Sequence, residues 1–355
     1  MSAPRLAATR SGALDSIRAN IRAMQGYVPG EQLNDPDITK LNTNENPYPP
    51  SPRVFDAIKA VLTSDKLRKY PQPLGDSFRQ TAGRVLGIDP DSILIGNGSD
   101  DLLTILTRAF VPEGGLIASP TPSYILYKSL AEIQGARFEK IPFTDEWQLR
   151  FPWPRADLAF LPNPNSPSGT VVSNEQIAEL AEQVNALVLD EAYVDFAEVG
   201  ALGSASRLNI VITRTLSKSY SLAGIRFGYA IADPAVVREL IKVKDSYNCD
   251  VISLAAAAGA IEDQDYFHCV KAKIVATRGR MGYELAKLGF AVTPSQANFL
   301  WCRRSDSPEK PIYEELKRRK ILIRYMNYDG YDGLRISVGT DAEIDRLLAE
   351  LNTIV

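Results

Sequence analysis

Two hydrophobic rhythms divide the chain. Short, near-continuous apolar runs occur at residues 93–95, 116–118, 158–161, 186–189, 210–213 and 227–231, bounded by glycine, proline or polar residues, and a further short strand is expected at 138–141. Runs of that length without polar alternation predict strands buried on both faces. Between them lie segments of helical period, at 54–62, 76–86 and 123–134, and one that opens on Ser173-Asn174-Glu175-Gln176. The last is a capping box, in which serine and glutamine satisfy each other's free backbone donors. Repeated strand–helix alternation predicts a mainly parallel sheet covered by helices. From 234 to 288 the pattern is helical throughout, and beyond it short strands at 298–302, 321–324 and 333–338 mix with helices at 311–319 and 341–351. That C-terminal part predicts a smaller α+β module.

The segment to about residue 33 carries a helical pattern (Leu14, Ile17, Ile21, Met24) followed by the turn signal Tyr27-Val28-Pro29-Gly30, and reads as an arm. Residues 41–52 hold too many prolines for a helix or a central strand, which leaves an ordered functional loop or a plain linker. The expected organisation is therefore an arm and loop at 1–45, a large α/β domain at 46–245 and a small domain at 246–355. No internal repeat interrupts it.

Composition narrows the classes. Of 355 residues 45% are hydrophobic and 23% charged, and Lys+Arg 40 against Asp+Glu 43 leaves a net charge of -3. Such a balance offers no electrostatic footprint for nucleic acid or an anionic membrane. No signal-peptide core or stretch of about 18 apolar residues occurs, so a cytoplasmic protein is expected. Cys249, Cys269 and Cys302 are scattered, and the only histidine is His268. Neither a disulfide framework, a metal site nor a Ser-His-Asp triad is expected from them.

The candidate chemistry sits at strand ends, where open parallel sheets bind ligands. Gly98-Ser99 follow one strand, Asn163-Pro164-Asn165 another, Asp190 a third and Lys218 a fourth. A dinucleotide fingerprint starting at Gly96 would need its third glycine at Asp101 and fails; a P-loop fails because Ser217, not glycine, precedes Lys218-Ser219. A lysine among Thr215, Leu216 and Ser217, just past a core strand, is expected to be partly desolvated, which favours the neutral amine that forms a Schiff base. Arg226, two residues after Gly224, can grip an anion as a fork. A Schiff-base lysine, an aspartate for a ring nitrogen and a phosphate cradle are together the requirements of pyridoxal phosphate. Tyr193 could donate to the ring's phenolic oxygen, and Tyr124 could stack on the ring.

The set Asn44-Glu45-Asn46-Pro47, Tyr70-Pro71, Gly98-Ser99-Asp100, Asn163-Pro164-Asn165-Ser166-Pro167-Ser168-Gly169, Asp190-Glu191-Ala192-Tyr193, Thr215-Leu216-Ser217-Lys218 and Leu334-Arg335-Ile336-Ser337-Val338-Gly339 resembles the fold-type-I pyridoxal-phosphate aminotransferases, most closely the histidinol-phosphate aminotransferase family. The resemblance runs in unbroken order from about Tyr27 to the C-terminus. It implies a homodimer acting on small molecules by ping-pong transamination, with Lys218 as the internal aldimine and proton shuttle, Asp190 on the pyridine nitrogen and Tyr193 on the ring oxygen. It further implies a cofactor site of Gly98, Ser99, Asp100, Tyr124, Asn165, Thr215, Ser217 and Arg226, with Tyr70 from the neighbouring subunit. Arg335 would hold a substrate carboxylate, with Asn44 nearby, and Arg324 with Tyr27 the distal phosphate of histidinol phosphate. Aromatic aminotransferases and threonine-phosphate decarboxylase share these motifs, and a non-catalytic cofactor-binding regulator is the reading from another class. The family commonly places asparagine directly before the second proline of its Asn-Pro stretch, where this chain has Ser166. Asn165 and Ser166 are thus both candidates for the ring-oxygen contact.

Overall fold

In the computed structural model, residues 12–26, 30–32, 35–328 and 331–355 are described. Their strands are β1 (Thr39–Lys40), β2 (Ile93–Gly96), β3 (Leu116–Thr121), β4 (Arg137–Pro142), β5 (Leu158–Pro162), β6 (Leu187–Asp190), β7 (Ile210–Thr215), β8 (Gly228–Ile231), β9 (Ala291–Thr293), β10 (Phe299–Arg303), β11 (Ile321–Leu322), β12 (Arg324–Met326) and β13 (Gly333–Ser337). The helices are α1 (Ala19–Ala23), α2 (Pro52–Val61), α3 (Ser64–Leu67), α4 (Asp76–Leu86), α5 (Ser99–Phe110), α6 (Leu126–Gln134), α7 (Asn174–Gln183), α8 (Pro234–Leu240), α9 (Val251–Glu262), α10 (Gln264–Lys287), α11 (Glu309–Arg318) and α12 (Asp341–Leu351).

The large sheet has the order β2-β8-β7-β6-β5-β3-β4. Strands β3 to β7 pair in parallel, while β8 is antiparallel to both β7 and β2. Because side chains alternate across a strand, its two faces feed two cores. Ile93, Ile95, Leu187, Leu189, Ile210 and Ile212 pack on the face covered by α2, α4, α7 and α9. Their neighbours Leu94, Val188 and Val211 pack on the other, under α5, α6 and α8. This explains the uninterrupted apolar runs. At α7 the capping box forms as read, with Ser173 and Gln176 exchanging bonds.

A third core joins α10, α11 and α12 to an antiparallel sheet of order β12-β13-β10-β9. Strand β1 pairs in parallel with β11, with Thr39 opposite Ile321, and Leu41 is buried in the same core. The stretch at 41–52 is therefore an ordered loop anchored to the small domain, with Asn42 and Asn44 each 1% exposed.

Some expectations move. The expected domain boundary at 245/246 cuts α9 from its core: Leu254, Ala256, Ala257, Ala260 and Ile261 pack with Val54 and Phe78 of the large domain. A helix apolar on nearly every side needs cover all round, and we place the division at Asp263, between α9 and α10. The helix expected from residue 123 begins at Leu126, the strand expected at 321–324 splits into β11 and β12, and among the described residues of the arm Ala19–Ala23 alone is helical.

Candidate functional site

The antiparallel strand β8 explains how the site is assembled. Strands β2, β5, β6 and β7 end on one edge of the sheet, and β8 begins there, with Gly228 opposite both Gly96 and Thr215. The β7–β8 connection thus supplies Lys218 as it leaves that edge and Arg226 as it returns. A Cβ on Gly228 would lie 2.8 Å from the Ser99 nitrogen and from the Arg214 carbonyl oxygen, so only glycine lets β8 pass this close to the start of α5. At this edge lies a cavity of about 270 Å³, walled by Ser99, Asp190, Lys218 and Arg226 from the large domain and by Arg324 and Arg335 from the small one.

Asp190 ends β6 and is 5% exposed. Its Oδ2 accepts from the Tyr127 hydroxyl at 2.7 Å and its Oδ1 from the Ala192 N–H at 3.2 Å. Burial pushes its carboxyl up to about 6; those two bonds pull it down, while Asp100 and Glu191 add to the rise. A carboxyl raised on folding contributes stability that is fully present below its unfolded value and lost as pH rises through the folded one. From 3.8 to about 6, the loss is about 3 kcal/mol, at about 1.4 kcal/mol for each unit. Cofactor-free Asp190→Asn is therefore expected to melt higher than the parent at pH 7.5 and no higher at pH 4; equal melting temperatures at pH 7.5 would show that the carboxylate is not penalised.

The Lys218 amine donates to the Thr43 carbonyl at 3.0 Å and lies 5.8 Å from the centre of the Tyr193 ring. The Tyr193 hydroxyl accepts from Asn44 Nδ2 at 3.0 Å. Asn44, at φ 56°, is itself pinned to the small domain: its N–H donates to Ser337 Oγ at 2.9 Å, that hydroxyl donates to Asn44 Oδ1 at 2.8 Å, and Asn298 Nδ2 donates to the Asn44 carbonyl at 2.9 Å. The proline-rich loop therefore ties both domains to the two groups nearest the chemistry.

The anion cradle forms at the start of α5. Gly98 precedes the helix at φ 80°, with no side chain capping the free N–H groups. A Cβ there would stand 2.7 Å from Arg226 Nη2. Arg226 Nη1 donates to Ser217 Oγ at 3.3 Å, and Thr215 Oγ1 donates to that same oxygen at 2.9 Å. A helix N-terminus, hydroxyls and a guanidinium converging without a side-chain cap suit a phosphate. The first-turn carboxylates are held off: Asp101 accepts from the Asn97 N–H and from Asn248 Nδ2, both at 2.9 Å, and Asp100 accepts from the Tyr124 hydroxyl at 3.2 Å and lies 3.9 Å from Arg226.

Arg324 and Arg335 stand directly opposite each other on β12 and β13, so their side chains share one face. Arg335 donates to Ser166 Oγ at 3.0 Å and to the Asn42 carbonyl at 2.9 Å, and its buried Nε has no hydrogen-bond partner among the described residues. Among the described residues neither arginine has a carboxylate partner. Two like charges set opposite each other repel, and an anion between them relieves it.

Not every expected residue joins the cavity. Asn165 spends its amide on the Pro122 carbonyl of the β3–α6 connection at 3.2 Å and on Ser168 Oγ of its own loop at 2.9 Å, while Ser166 reaches the wall. Hydrogen bonds from Asn165 N to the Thr170 carbonyl and from Gly169 N to the Asn165 carbonyl close that loop and fix the choice. Tyr70 is 81% exposed and stacks on Tyr247 at 4.4 Å, away from its own chain's cavity. Tyr27 lies outside the described residues. Two participants were missed: Ser123, whose buried Oγ has no partner on the cavity wall, and Tyr127. In sequence both look like ordinary core positions near Tyr124.

The residues present fit pyridoxal phosphate: an amine reaching the cavity, a buried carboxylate beyond it and an uncapped helix start facing an arginine. Among the described residues no cluster of His, Cys, Asp and Glu could hold a metal ion.

Residues 36–351 match the family model for aminotransferase class I and II. The chain is 54% identical over 336 residues to a histidinol-phosphate aminotransferase of Rhodopirellula baltica, covering 92% of each chain, and 47% identical to one of Syntrophotalea carbinolica, covering 95% and 99%. The crystal structure of histidinol-phosphate aminotransferase from Sinorhizobium meliloti, in complex with pyridoxal-5'-phosphate, superposes with a TM-score of 0.81 at 28% identity, covering 89% of this chain and 91% of that one.

Proposed function

Because the chain belongs to the class I and II aminotransferases, we propose that it uses pyridoxal phosphate to transfer the amino group of histidinol phosphate to 2-oxoglutarate, as a cytoplasmic homodimer. The observation that carries the substrate is the opposed Arg324–Arg335 pair, beside a cradle at Gly98, Ser99 and Arg226 that would hold the cofactor phosphate. A second strong anion site is what a phosphorylated amine requires, with Arg324 toward its phosphate, and Arg335 grips a carboxylate of the 2-oxo acid in its turn.

Bound, the cofactor supplies a carbonyl for Schiff-base exchange and a ring that accepts electrons. Lys218, whose amine lies beside the Thr43 carbonyl and the Tyr193 ring, is the group that would hold the cofactor's carbonyl and would move the proton at the substrate carbon bearing nitrogen. Asp190 would stabilise a proton on the ring nitrogen, and Tyr193, its hydroxyl fixed by Asn44, would hold the ring oxygen. Arg335, oriented by Ser166 and Asn42, grips a carboxylate.

The dimer reading rests on Tyr70, which misses its own cavity, and on the exposed apolar residues Phe55, Leu62, Leu67 and Tyr247. No helix of the described residues is long and apolar enough to cross a membrane. The test is steady-state turnover of the purified protein. Histidinol phosphate with 2-oxoglutarate is expected to give a higher kcat/KM than phenylalanine or tyrosine, and threonine phosphate is expected not to be decarboxylated; an aromatic amino acid turned over faster, or carbon dioxide released, would overturn the assignment.

A further inference from the structure

One buried tyrosine has no place in the scheme above. Tyr127 lies on α6 with no exposed surface, stacked on Phe160 at 4.6 Å and 7° and set edge-on to Tyr124 at 5.6 Å. Packing accounts for the ring but not for the hydroxyl, which crosses from the helix to the sheet and donates to Asp190 Oδ2 at 2.7 Å. We propose that Tyr127 is a positioning residue: its phenol, clamped by Phe160, fixes the rotation of the Asp190 carboxylate and holds it as the anion that the cofactor's ring nitrogen meets.

Burial, followed by the Asp190 charge, pushes the Tyr127 phenol well above its ordinary value, so it remains a donor at every working pH. Its hydrogen bond opposes the burial that favours the neutral carboxyl. The other groups bearing on Asp190 are Asp100 from α5, Glu191 and the Ala192 N–H from its own turn, and Tyr124 and Tyr193 beside the phenol. Lys218 and Arg226 share the cavity wall. Of these, Tyr127 alone gives the carboxylate a side-chain hydrogen bond among the described residues. The Ala192 N–H, at 3.2 Å, is the longer of the two contacts.

The proposal rests on Asp190 as the ring-nitrogen partner, so its first test uses no cofactor. The Asp190 carboxyl is followed by carbon-13 NMR in the cofactor-free protein, assigned by its loss in Asp190→Asn. Tyr127→Phe keeps the stacked ring and is expected to raise the titration midpoint by about one pH unit, the effect of a charge-assisted hydrogen bond. An unmoved midpoint in a folded variant overturns the proposal. The second test is pyridoxal phosphate affinity by equilibrium dialysis. Tyr127→Phe is expected to bind about threefold more weakly near pH 6.5, as a one-unit rise from about 6 leaves about a third as much carboxylate ionised there, and to approach the parent at pH 9, where both carboxyls are ionised; the same loss at both pH values means a packing role and overturns it. Affinity of the parent that ignores Asp190→Asn would instead fault the ring-nitrogen reading. Should Tyr127→Phe not fold, uniform 3-fluorotyrosine labelling strengthens the phenol as a donor and is expected to lower the midpoint, and an unmoved midpoint again overturns the proposal.

Discussion

Lys218→Ala is expected to lower transamination by about four orders of magnitude or more while leaving the protein folded. General-base contributions alone reach about 10⁴-fold, and the same substitution removes the amine that exchanges with the substrate. The backbone around it is held independently of the side chain. Leu216 N donates to the Phe227 carbonyl at 3.1 Å, Leu222 N to the Leu216 carbonyl at 3.0 Å and Asn46 Nδ2 to the Ser219 carbonyl at 3.0 Å, with a further bond between Ser219 and Asp195. Only the bond to the Thr43 carbonyl is lost, which costs about 1 kcal/mol. Lys218→Arg separates charge from chemistry, because a guanidinium keeps the positive charge but stays protonated and cannot shuttle. Both variants are expected to fail in a single turnover with glutamate followed by absorbance. Activity of either within about tenfold of the parent would remove Lys218 from the proton path.

Arg324→Ala is expected to lower kcat/KM for histidinol phosphate about 100-fold, the loss of one charge-assisted contact to a phosphate at about 3 kcal/mol. The glutamate half-reaction is expected to change far less, because Arg335 remains to grip the carboxylate. Arg335→Ala is expected to reverse the ratio and strike glutamate harder. The contrast follows from how the two are held. Arg335 is fixed by Ser166 and Asn42, so its fork has one direction, whereas Arg324, on the edge strand β12 of the small sheet, has no carboxylate partner among the described residues. Half-reactions measured separately by single-turnover absorbance check this. Equal losses for both substrates in Arg324→Ala would show one shared anion site and leave the preference for a phosphorylated amine unsupported.

Much of this site could be read from residue order, for a local reason. In a parallel sheet every strand delivers its C-terminal residues to the same edge, so Gly98-Ser99, Asp190 and Lys218 were marked by lying just past apolar runs. The capping box at Ser173 depends on four consecutive residues and formed as read. Composition and periodicity likewise determined the two-part α/β and α+β plan, and the resemblance in motif order supplied the cofactor.

Other features depended on contacts between distant parts of the chain. That Ser166 and not its neighbour Asn165 faces the cavity was settled with the help of the Asn165 amide's bond to the Pro122 carbonyl, 43 positions away. That α9 packs with Val54 of α2 and Phe78 of α4 was decided by the helices available to cover a surface apolar on nearly every side. Tyr127 looks like any core tyrosine until α6 is laid on the sheet 63 positions away from Asp190. The proline-rich loop shows its role only when Thr43 meets Lys218 across 175 positions and Asn44 meets Ser337 across 293. Sequence alone determined what each strand brings to the edge, because side-chain period and strand direction are local properties. Tertiary structure decided which groups meet there, because pairing residues so far apart depends on how the sheet, its helices and the small domain close around one another.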